Sequence, residues 1–412
     1  MDVLFPCCCG LDVHKKSITA CVLWAESKGK KRKQRRQFGS YTRDLLTLVD
    51  WLRGCGVTHV AMEATGVYWK PVWNVLEGQF EVLLVNAQHI KAVPGRKTDQ
   101  KDSEWIAELL QHGLLRASFV PPRETRELRD LTRYRVSLTE ECNRIANRIQ
   151  NVLEDANIKL ASVATDALGT SGRAMIQAMV DGERDAKLLA NKAKGLLRNK
   201  LGDLELALQG RVNEHHQFML RELLEDLRHA ERKIAIVEAE IQRRLYPFEE
   251  EVARLCTIPG IERVTAWGLL AELGLNMDQF PSAAHAASWA GLCPGNKESA
   301  GKRLSGKTRK GNPALRRCLT AAAWAVATKR NTYLSALYRR LAARRGNKRA
   351  IVAVAHALLV ISYFLLKRKQ VYRELGPNYF DQLNADGLRR SLIRRLERLG
   401  HKVTLEPLPD AA

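Results

Sequence analysis

The order of apolar segments in roughly the first 120 residues sets the strongest constraint on the fold of this chain. Two apolar, β-branched runs lie between Cys7 and Trp24, separated by the polar turn HKK, and Arg36 to Tyr41 can add a third strand. The pattern then predicts a helix over 44–56, a strand over 57–63, a helix over 66–78, a strand over 80–86 and a helix beginning near Asp99. Three strands followed by alternating strands and helices indicate an α/β layer built on a mixed sheet.

A helical middle region follows, in which apolar residues recur every seven positions. One series is Leu131, Leu138, Ile145 and Val152; a second is Leu220, Leu227, Ile234 and Ile241, with Leu223, Ala230 and Val237 at the alternate positions. Such series are typical of long helices that pair. An intramolecular helical hairpin and an intermolecular coiled coil both satisfy the pattern.

The third region begins at TIPGIERVTAWGLLAELG, where Pro259 and Gly260 separate two helical patterns. This turn fits either a helix-hairpin-helix whose amides hold a DNA phosphate or a packing corner between helices. Farther along, the apolar segment Ala350 to Leu366 is short for a membrane span and contains polar residues, which favours a buried helix. We therefore predict four parts: 1–122, 123–248, 249–370 and a peripheral tail, 371–412.

Positive charge is concentrated in one block of the chain. The formal net charge is +22, and the stretch from Lys297 to Arg349 supplies +15 of it, with sixteen Lys or Arg against the single acidic residue Glu298. Generic solubility charge or a disordered basic tail would also be basic, but here the cations alternate with apolar helix-like sequence. The block therefore predicts a folded surface that faces phosphates.

The cysteines favour a reducing compartment. The chain has nine, an odd number, and no CxxC pair with the spacing of zinc ligands. The N-terminus also lacks a charged start followed by a signal-peptide core. We expect reduced thiols in a cytoplasmic, nucleoid-associated protein with no membrane partner.

Four carboxylates stand where chemistry is expected. Asp12 lies inside the first hydrophobic strand, where an isolated charge costs several kcal/mol unless a partner or a metal neutralises it. Glu63 ends a later strand, and Asp99 and Asp102 lie three residues apart at a helix start after Thr98. Each acid alone can be explained as a helix or turn cap. Together they can surround a pair of Mg²⁺ ions, which serve in-line displacement at phosphorus.

The full set of motifs resembles a known family. The strings GLDVHK, AMEATGVYW, GRKTDQKDSEWIAELL, TIPGI and GLCPGNKESAGKRLSGKTRKGNPALRR resemble those of the DEDD transposases of the insertion-sequence one-ten family, which are bridge-RNA-guided recombinases. The match spans most of the chain.

The resemblance implies a fold, a mechanism and partners. It implies an RNase H-like (RuvC-like) α/β N-terminal domain, a helical coiled-coil middle and a mostly α C-terminal transposase domain. It implies that Asp12, Glu63, Asp99 and Asp102 bind the metal and that Ser299 in KESAGK is the nucleophile. It also implies a noncoding bridge RNA that pairs with donor and target DNA, and a homo-oligomer, dimer or tetramer, in which the acids of one protomer meet the serine of another.

Ser299 needs activation, because a serine hydroxyl is a weak nucleophile near neutral pH. Neighbouring cations can lower the cost of its alkoxide and stabilise charge on the phosphate. The residues predicted to contact nucleic acid are Lys297, Lys302, Arg303, Lys307, Arg309, Lys310, Arg316 and Arg317. Ser305, in the same loop, is the second candidate nucleophile, and a solvated loop serine is the simplest alternative.

The hypothesis is therefore a transposase that cuts and rejoins DNA through a phosphoserine intermediate with Mg²⁺ held by the four acids. A metal-dependent, RuvC-like structure-selective endonuclease would cleave without any covalent adduct. A non-catalytic nucleic-acid-binding scaffold would be indifferent to loss of the acids. Trp69 and Trp73, near Glu63, could stack on bases, although we favour a place in the core.

Overall fold

The computed structural model describes residues 2–25, 31–86, 102–295, 297–299, 301–308 and 310–406. The chain divides into two compact units, Met1–Pro121 and Pro122–Ala412. The further division of the second unit at residues 248 and 370 stays a prediction.

The first unit is built on a mixed sheet, as the strand pattern predicts. Its described strands are β1 (Cys7–Val13), β2 (Ser17–Ala25), β3 (Lys31–Gly39), β4 (His59–Glu63) and β5 (Glu81–Val85). They lie in the order β3-β2-β1-β4-β5. The β1–β2 and β2–β3 pairs are antiparallel, whereas β1–β4 and β4–β5 are parallel. The third strand begins at Lys31, earlier than the predicted Arg36, and ends at Gly39, so Tyr41 lies outside it.

Helices cover both faces of this sheet. They are α1 (Thr42–Gly54), α2 (Trp69–Leu76) and α3 (Asp102–Gln111). Residues alternate between faces along a strand, so Leu11 and Met62 pack in a core with α1 and α2. Cys8 and Ala61 point the other way, into a smaller core with α3. The α3 face is therefore opposite the α1–α2 face.

The tryptophans near Glu63 belong to the core, as favoured above. Trp73 is 8% exposed and Trp69 packs against the same apolar cluster as α1 and α2. Their rings meet edge to face with centroids 6.0 Å apart. This geometry is typical of packed aromatic side chains.

The second unit begins with two long helices, α4 (Arg123–Asp155) and α9 (Glu214–Leu245). They run antiparallel within one chain, because Glu127 pairs with Arg244 near one end and Asp155 with His216 near the other. The residues of both seven-residue series are buried or partly buried in the cores of this unit. An intramolecular helical hairpin therefore accounts for the repeats.

Short helices fill the segment between the two long ones. They are α5 (Leu160–Val163), α6 (Thr170–Val180), α7 (Ala186–Ala190) and α8 (Leu201–Ala207), with a 3₁₀ turn at Gly195–Lys200. Their apolar side chains, including Met175 and Leu204, form one cluster with Ile149 of α4 and Leu220 of α9. This segment is thus packed against the end of α4 and the start of α9.

The rest of the unit is mostly helical, with one small hairpin. Its elements are α10 (Glu249–Cys256), α11 (Arg263–Leu273), α12 (Ala283–Trp289), β6 (Lys297–Ser299), β7 (Lys302–Ser305), α13 (Pro313–Thr328), α14 (Tyr333–Arg345), α15 (Asn347–Arg368), α16 (Tyr379–Leu383) and α17 (Ala385–Arg398), with 3₁₀ turns at Tyr246–Phe248 and Met277–Gln279. Helices α10 to α15 share a core with the start of α4 and the end of α9.

Two open points of the sequence are answered by packing. Among the described residues, α15 is the one helix long and apolar enough to cross a membrane, but Val354, Leu358 and Leu359 lie fully inside the core. The prediction of a buried helix is therefore confirmed. At the TIPGI turn, Ile258 and Ile261 are buried, and a side chain on Gly260, whose φ is +84°, would overlap Val326 of α13. This turn therefore packs against α13, and phosphate binding by its amides stays a prediction.

Candidate functional site

The structure places Asp12 and Glu63 at neighbouring positions of two parallel strands. Leu11 of β1 is in register with Met62 of β4, so the next residue along each strand is a carboxylate. Both acids alternate with residues of the α1–α2 core, and therefore point to the face that α3 covers. Both lie near the carboxyl ends of their strands, where ligands of α/β sheets bind.

Asp12 has a partner within the first unit. Its Oδ2 lies 3.1 Å from Nε2 of His14, and the side chains are 26% and 63% exposed respectively. The contact joins residues two apart, on either side of the strand end. Asp12 is therefore half-buried and hydrogen-bonded rather than an isolated charge in the core, which lowers the cost of its position.

Asp102 begins the helix that crosses the same face. A Cβ at Gly10 would overlap the carbonyl of Ser103 and the backbone nitrogen of Ala107, so the backbone of α3 rests directly on β1. The residue after Gly10 and Leu11 is Asp12. A glycine at this position is thus what lets the start of α3 approach the strand that carries the acid.

The fourth predicted acid, Asp99, lies outside the described residues. Among those described, no three His, Cys, Asp or Glu side chains lie close enough together to hold a metal ion. The structure thus brings Asp12 and Glu63 onto one face and starts the Asp102 helix over that face. A Mg²⁺ site formed by all four acids stays a prediction.

The candidate nucleophile lies in the β6–β7 hairpin. Ser299 pairs with Lys302 in an antiparallel ladder, and Gly301 in the turn has a φ of +74°. The side chains of Lys297, Ser299 and Arg303 lie outside the described part, as does all of Arg309. The Oγ of Ser305 accepts a hydrogen bond from the backbone N–H of Lys307 at 3.2 Å.

Backbone contacts join the two ends of this hairpin into a neck, which we define as the described residues 289–295, 306–308 and 310–312. The N–H of Gly295 donates to the carbonyl of Lys307 at 2.9 Å, and Pro294 and Thr308 form a bridge. The backbones of Gly291 and Gly311 approach too closely for a Cβ at Gly311. The hairpin therefore projects from a closed base.

The predicted cations of this region differ in how they are used. Lys302, Lys307 and Lys310 are exposed, and Arg316 is half-buried. Arg317 is exposed but forms an ion pair of 2.6 Å with Glu140 of α4. Three lysines thus stay solvent-accessible on and after the hairpin.

A second basic surface, which was not predicted from the sequence, lies in the first unit. Edge strand β3 carries exposed Arg32, Lys33, Arg35 and Arg36. Arg32 stacks over Trp24 at 5.1 Å and Arg36 over Phe38 at 5.0 Å, while Lys33 pairs with Glu104 of α3. The run KRKQRR was the available signal, and its lack of β-branched residues is why it was not assigned to a strand.

The thiols of the first unit are inert by their surroundings. All nine cysteines of the chain are free. Burial raises the pKa of Cys8 to about 12 and that of Cys21 to about 11. Such thiols are poor nucleophiles and metal ligands near neutral pH.

Comparison with known proteins gives matches at both ends of the chain. A family model described as a transposase matches residues 9–158, and a second, described as the transposase IS116/IS110/IS902 family, matches residues 252–339. The transposase for insertion sequence element IS1111A of Coxiella burnetii is 25% identical over 377 residues, covering 88% of this chain and 90% of that protein. The insertion element IS110 uncharacterized 43.6 kDa protein of Streptomyces coelicolor is 26% identical over 306 residues, covering 69% and 74%. The region that the first model matches includes Asp12, Glu63, Asp99 and Asp102, and the region that the second matches includes the hairpin with Ser299.

Proposed function

Because the chain belongs to the IS116/IS110/IS902 family of transposases, we propose that it cuts and rejoins DNA through a phosphoserine intermediate on Ser299. As a transposase it is an enzyme that acts on DNA. The phosphoserine mechanism, the metal and the RNA partner are proposals.

The acidic site is proposed to reside in an RNase H-like first unit. The sheet order β3-β2-β1-β4-β5, with an antiparallel meander on one side of β1 and parallel strands on the other, supports this fold. The observation that carries the proposal is the side-by-side placement of Asp12 and Glu63 on the face covered by α3. Asp99 and Asp102 would complete the set of ligands.

Four carboxylates are a donor set that suits Mg²⁺, which prefers oxygen ligands. When bound, Mg²⁺ would supply charge stabilisation for the attacking and leaving oxygens of a phosphoryl transfer. Asp12 lies at the strand end with its side chain 26% exposed, so a cation can reach its carboxylate from solvent. The protein's own part is to hold these oxygens on rigid strand ends.

The serine step exchanges one phosphoester bond for another. Ser299 Oγ forms a bond to the DNA phosphorus as the bond to one strand oxygen breaks, and the serine proton leaves to a base or to water. The departing strand keeps a hydroxyl. In the reverse direction a hydroxyl of the recombining strand forms a new bond to phosphorus and displaces the serine, so the phosphodiester is restored without ATP.

Cations of the second unit support this step. Exposed Lys302, Lys307 and Lys310 lie on or just after the hairpin and can bind the phosphates that flank the scissile bond. They can also stabilise charge as it develops on the phosphate. Ser305 is the less suited nucleophile, because its Oγ is engaged by the N–H of Lys307.

We also propose that a noncoding bridge RNA guides the reaction and that the active assembly is a homo-oligomer. Two separate basic surfaces, on β3 and around the hairpin, support binding of more than one nucleic-acid segment. Recognition of paired strands would then proceed through backbone charge and duplex shape.

The proposal is tested by trapping the intermediate. Purified protein is incubated with a labelled DNA junction, Mg²⁺ and the noncoding RNA that flanks the gene, and then denatured. We expect a labelled protein band that Ser299→Ala abolishes while DNA binding persists, and that Ser305→Ala retains. Strand cleavage without any covalent band would support the RuvC-like endonuclease instead, and an adduct that survives in Ser299→Ala would reject Ser299.

A further inference from the structure

A buried carboxylate in the second unit has no role in the mechanism above. Glu272 lies in the last turn of α11 and is 2% exposed. A buried ionised carboxylate is costly unless it is fully paired. Arg133 of α4 supplies that pairing with two parallel hydrogen bonds, from Nε to Oε1 at 2.7 Å and from Nη2 to Oε2 at 2.8 Å. The hydrogen bond to Glu272 raises the pKa of Arg133, despite partial burial of the guanidinium.

A second residue, from the neck of the hairpin, reaches the same carboxylate. Asn312 Nδ2 donates to Oε2 of Glu272 at 2.6 Å. Its Oδ1 caps α13 by accepting from the N–H groups of Ala314 and Leu315 at 3.0 and 3.2 Å, and its own N–H donates to the carbonyl of Trp289 at 3.2 Å. Asn312 therefore ties together the neck, the start of α13 and Glu272.

A second arginine of α4 reinforces this connection. Arg129 donates from Nε to the carbonyl of Ala271 at 2.8 Å and from Nη2 to the carbonyl of Glu272 at 2.6 Å. Its guanidinium also lies 5.7 Å from the ring centroid of Trp289, the first residue of the neck. Through these two arginines, helix α4 contacts both Glu272 and the neck.

We propose that Glu272 is a positioning residue that acts through Asn312 to fix the β6–β7 hairpin, and with it Ser299, relative to α4. The inference rests on the proposed role of Ser299. Backbone contacts between Gly295 and Lys307 and between Pro294 and Thr308 hold the two ends of the hairpin together, so we expect its base to move as one piece. The side-chain bond from Asn312 to Glu272 then sets where that piece sits.

The alternative is that Glu272 merely stabilises the packing of α4 against α11. Replacing Asn312 distinguishes the two roles, because it leaves the Arg133–Glu272 pair in place. Asn312→Ser keeps a good N-cap for α13, since serine caps helices about as well as asparagine. The shorter side chain cannot reach Glu272, so only the link to the neck is lost.

We expect Asn312→Ser to slow single-turnover adduct formation at least about tenfold, because misplacing a reacting group by about 1 Å can cost about a hundredfold. DNA affinity should stay at the parental value, whereas the melting temperature should fall, because one hydrogen bond to the buried Glu272 carboxylate is lost. Amide hydrogen exchange should become faster in residues 289–312, whether or not an adduct forms. Asn312→Asp also keeps an N-cap for α13 but replaces the donor with a second carboxylate, so it should change the exchange and the rate in the same direction.

The matched control is Glu238→Gln. Arg135 lies on α4 two residues from Arg133 and pairs with Glu238 of α9 at 2.6 Å, without any contact to the neck. This variant should leave the adduct rate and the exchange of residues 289–312 unchanged. Parental exchange in both Asn312→Ser and Asn312→Asp overturns the positioning role. Failure of the parent protein to form an adduct overturns the proposed function instead, and the exchange measurement still decides the role of Glu272.

Discussion

Gly10 of β1 lies directly against the backbone of Ser103, the second residue of α3, so closely that no side chain fits between them. Asp12 is two residues beyond Gly10 on the same strand face, and Asp102 immediately precedes Ser103. One close approach between a strand and a helix therefore determines how far the Asp102 end of α3 stands from the strand that carries Asp12.

The first prediction follows from this contact. Gly10→Ala inserts a methyl group where backbone atoms already lie, and should lower the free energy of unfolding by about 1–3 kcal/mol or more. Amide exchange across 103–110 should accelerate, since α3 must move away from β1. Metal-dependent DNA processing should fall with it, because the acid at the start of α3 moves too.

Gly54→Ala is the matched control. Gly54 ends α1, and nothing lies within 4 Å of a Cβ placed there. That substitution should change the unfolding free energy by less than about 1 kcal/mol. Equal stability of the two variants would show that α3 does not rest on Gly10.

The second prediction concerns the paired acids. Asp12→Asn and Glu63→Gln should each reduce adduct formation on the order of a hundredfold or more, because each removes a charge that stabilises the transferred phosphate through a bound cation. Chelation of Mg²⁺ with EDTA should have the same effect on the parent protein, reversible by adding Mg²⁺ back. DNA binding, measured by fluorescence anisotropy, should persist.

Asp50→Asn serves as its control, because Asp50 is an exposed carboxylate of α1, which packs on the opposite face of the sheet. It should retain parental activity. If Asp12→Asn and Glu63→Gln were as active as Asp50→Asn, the protein would need neither acid, as the scaffold hypothesis requires.

The sequence was sufficient for most of the first unit, because its information is local. Continuous apolar runs mark β1, β2 and β4, and register between parallel strands brings strand-end acids such as Asp12 and Glu63 together. The full length of β3 could not be read this way. Its charged residues have low strand propensity, and pairing with β2 along the whole of Lys31–Gly39 overrides that preference.

The contacts among Arg133, Glu272 and Asn312 could not be predicted from any local pattern. Arg133 and Glu272 are separated by 139 positions, and Glu272 and Asn312 by 40. Each of these residues, taken alone, is typical of a solvated helix surface. Only the fold brings them into one buried network. The middle helices gave the opposite result, since seven-residue spacing identified the seam but left open whether its partner lay in the same chain.

The third prediction concerns thiol reactivity. At pH 8, Cys8, Cys21 and Cys318 should resist iodoacetamide in the folded protein, because burial raises their pKa to about 12, about 11 and about 12 respectively. Half-buried Cys293 is the internal reference and should be alkylated first. Peptide mass spectrometry with and without denaturant measures the order. Rapid labelling of Cys8 in the folded state would contradict its place under α3.

The same thiols predict how stability depends on pH. In the unfolded chain they lose protons near the ordinary pKa of 9.0, whereas Cys8 in the folded protein keeps its proton to about pH 12. The unfolded state therefore binds fewer protons above pH 9, and the free energy of unfolding should fall as pH rises from 9 to 11. Cys8→Ala should show a shallower decline than the parent protein in urea titrations at pH 8, 9 and 10.

The last prediction separates the phosphate contacts of the hairpin region from general charge. Lys302→Ala, Lys307→Ala and Lys310→Ala should each weaken DNA binding equally for different sequences and reduce the slope of log K against log salt by about 1, since each phosphate contact releases about 0.9 counterion. Lys192→Ala removes an exposed lysine outside the basic block and should leave the slope unchanged. Because net charge falls by one in every variant, a slope that changed equally in all four would mean that the whole field of the protein, and not the exposed lysines beside Ser299, holds the DNA.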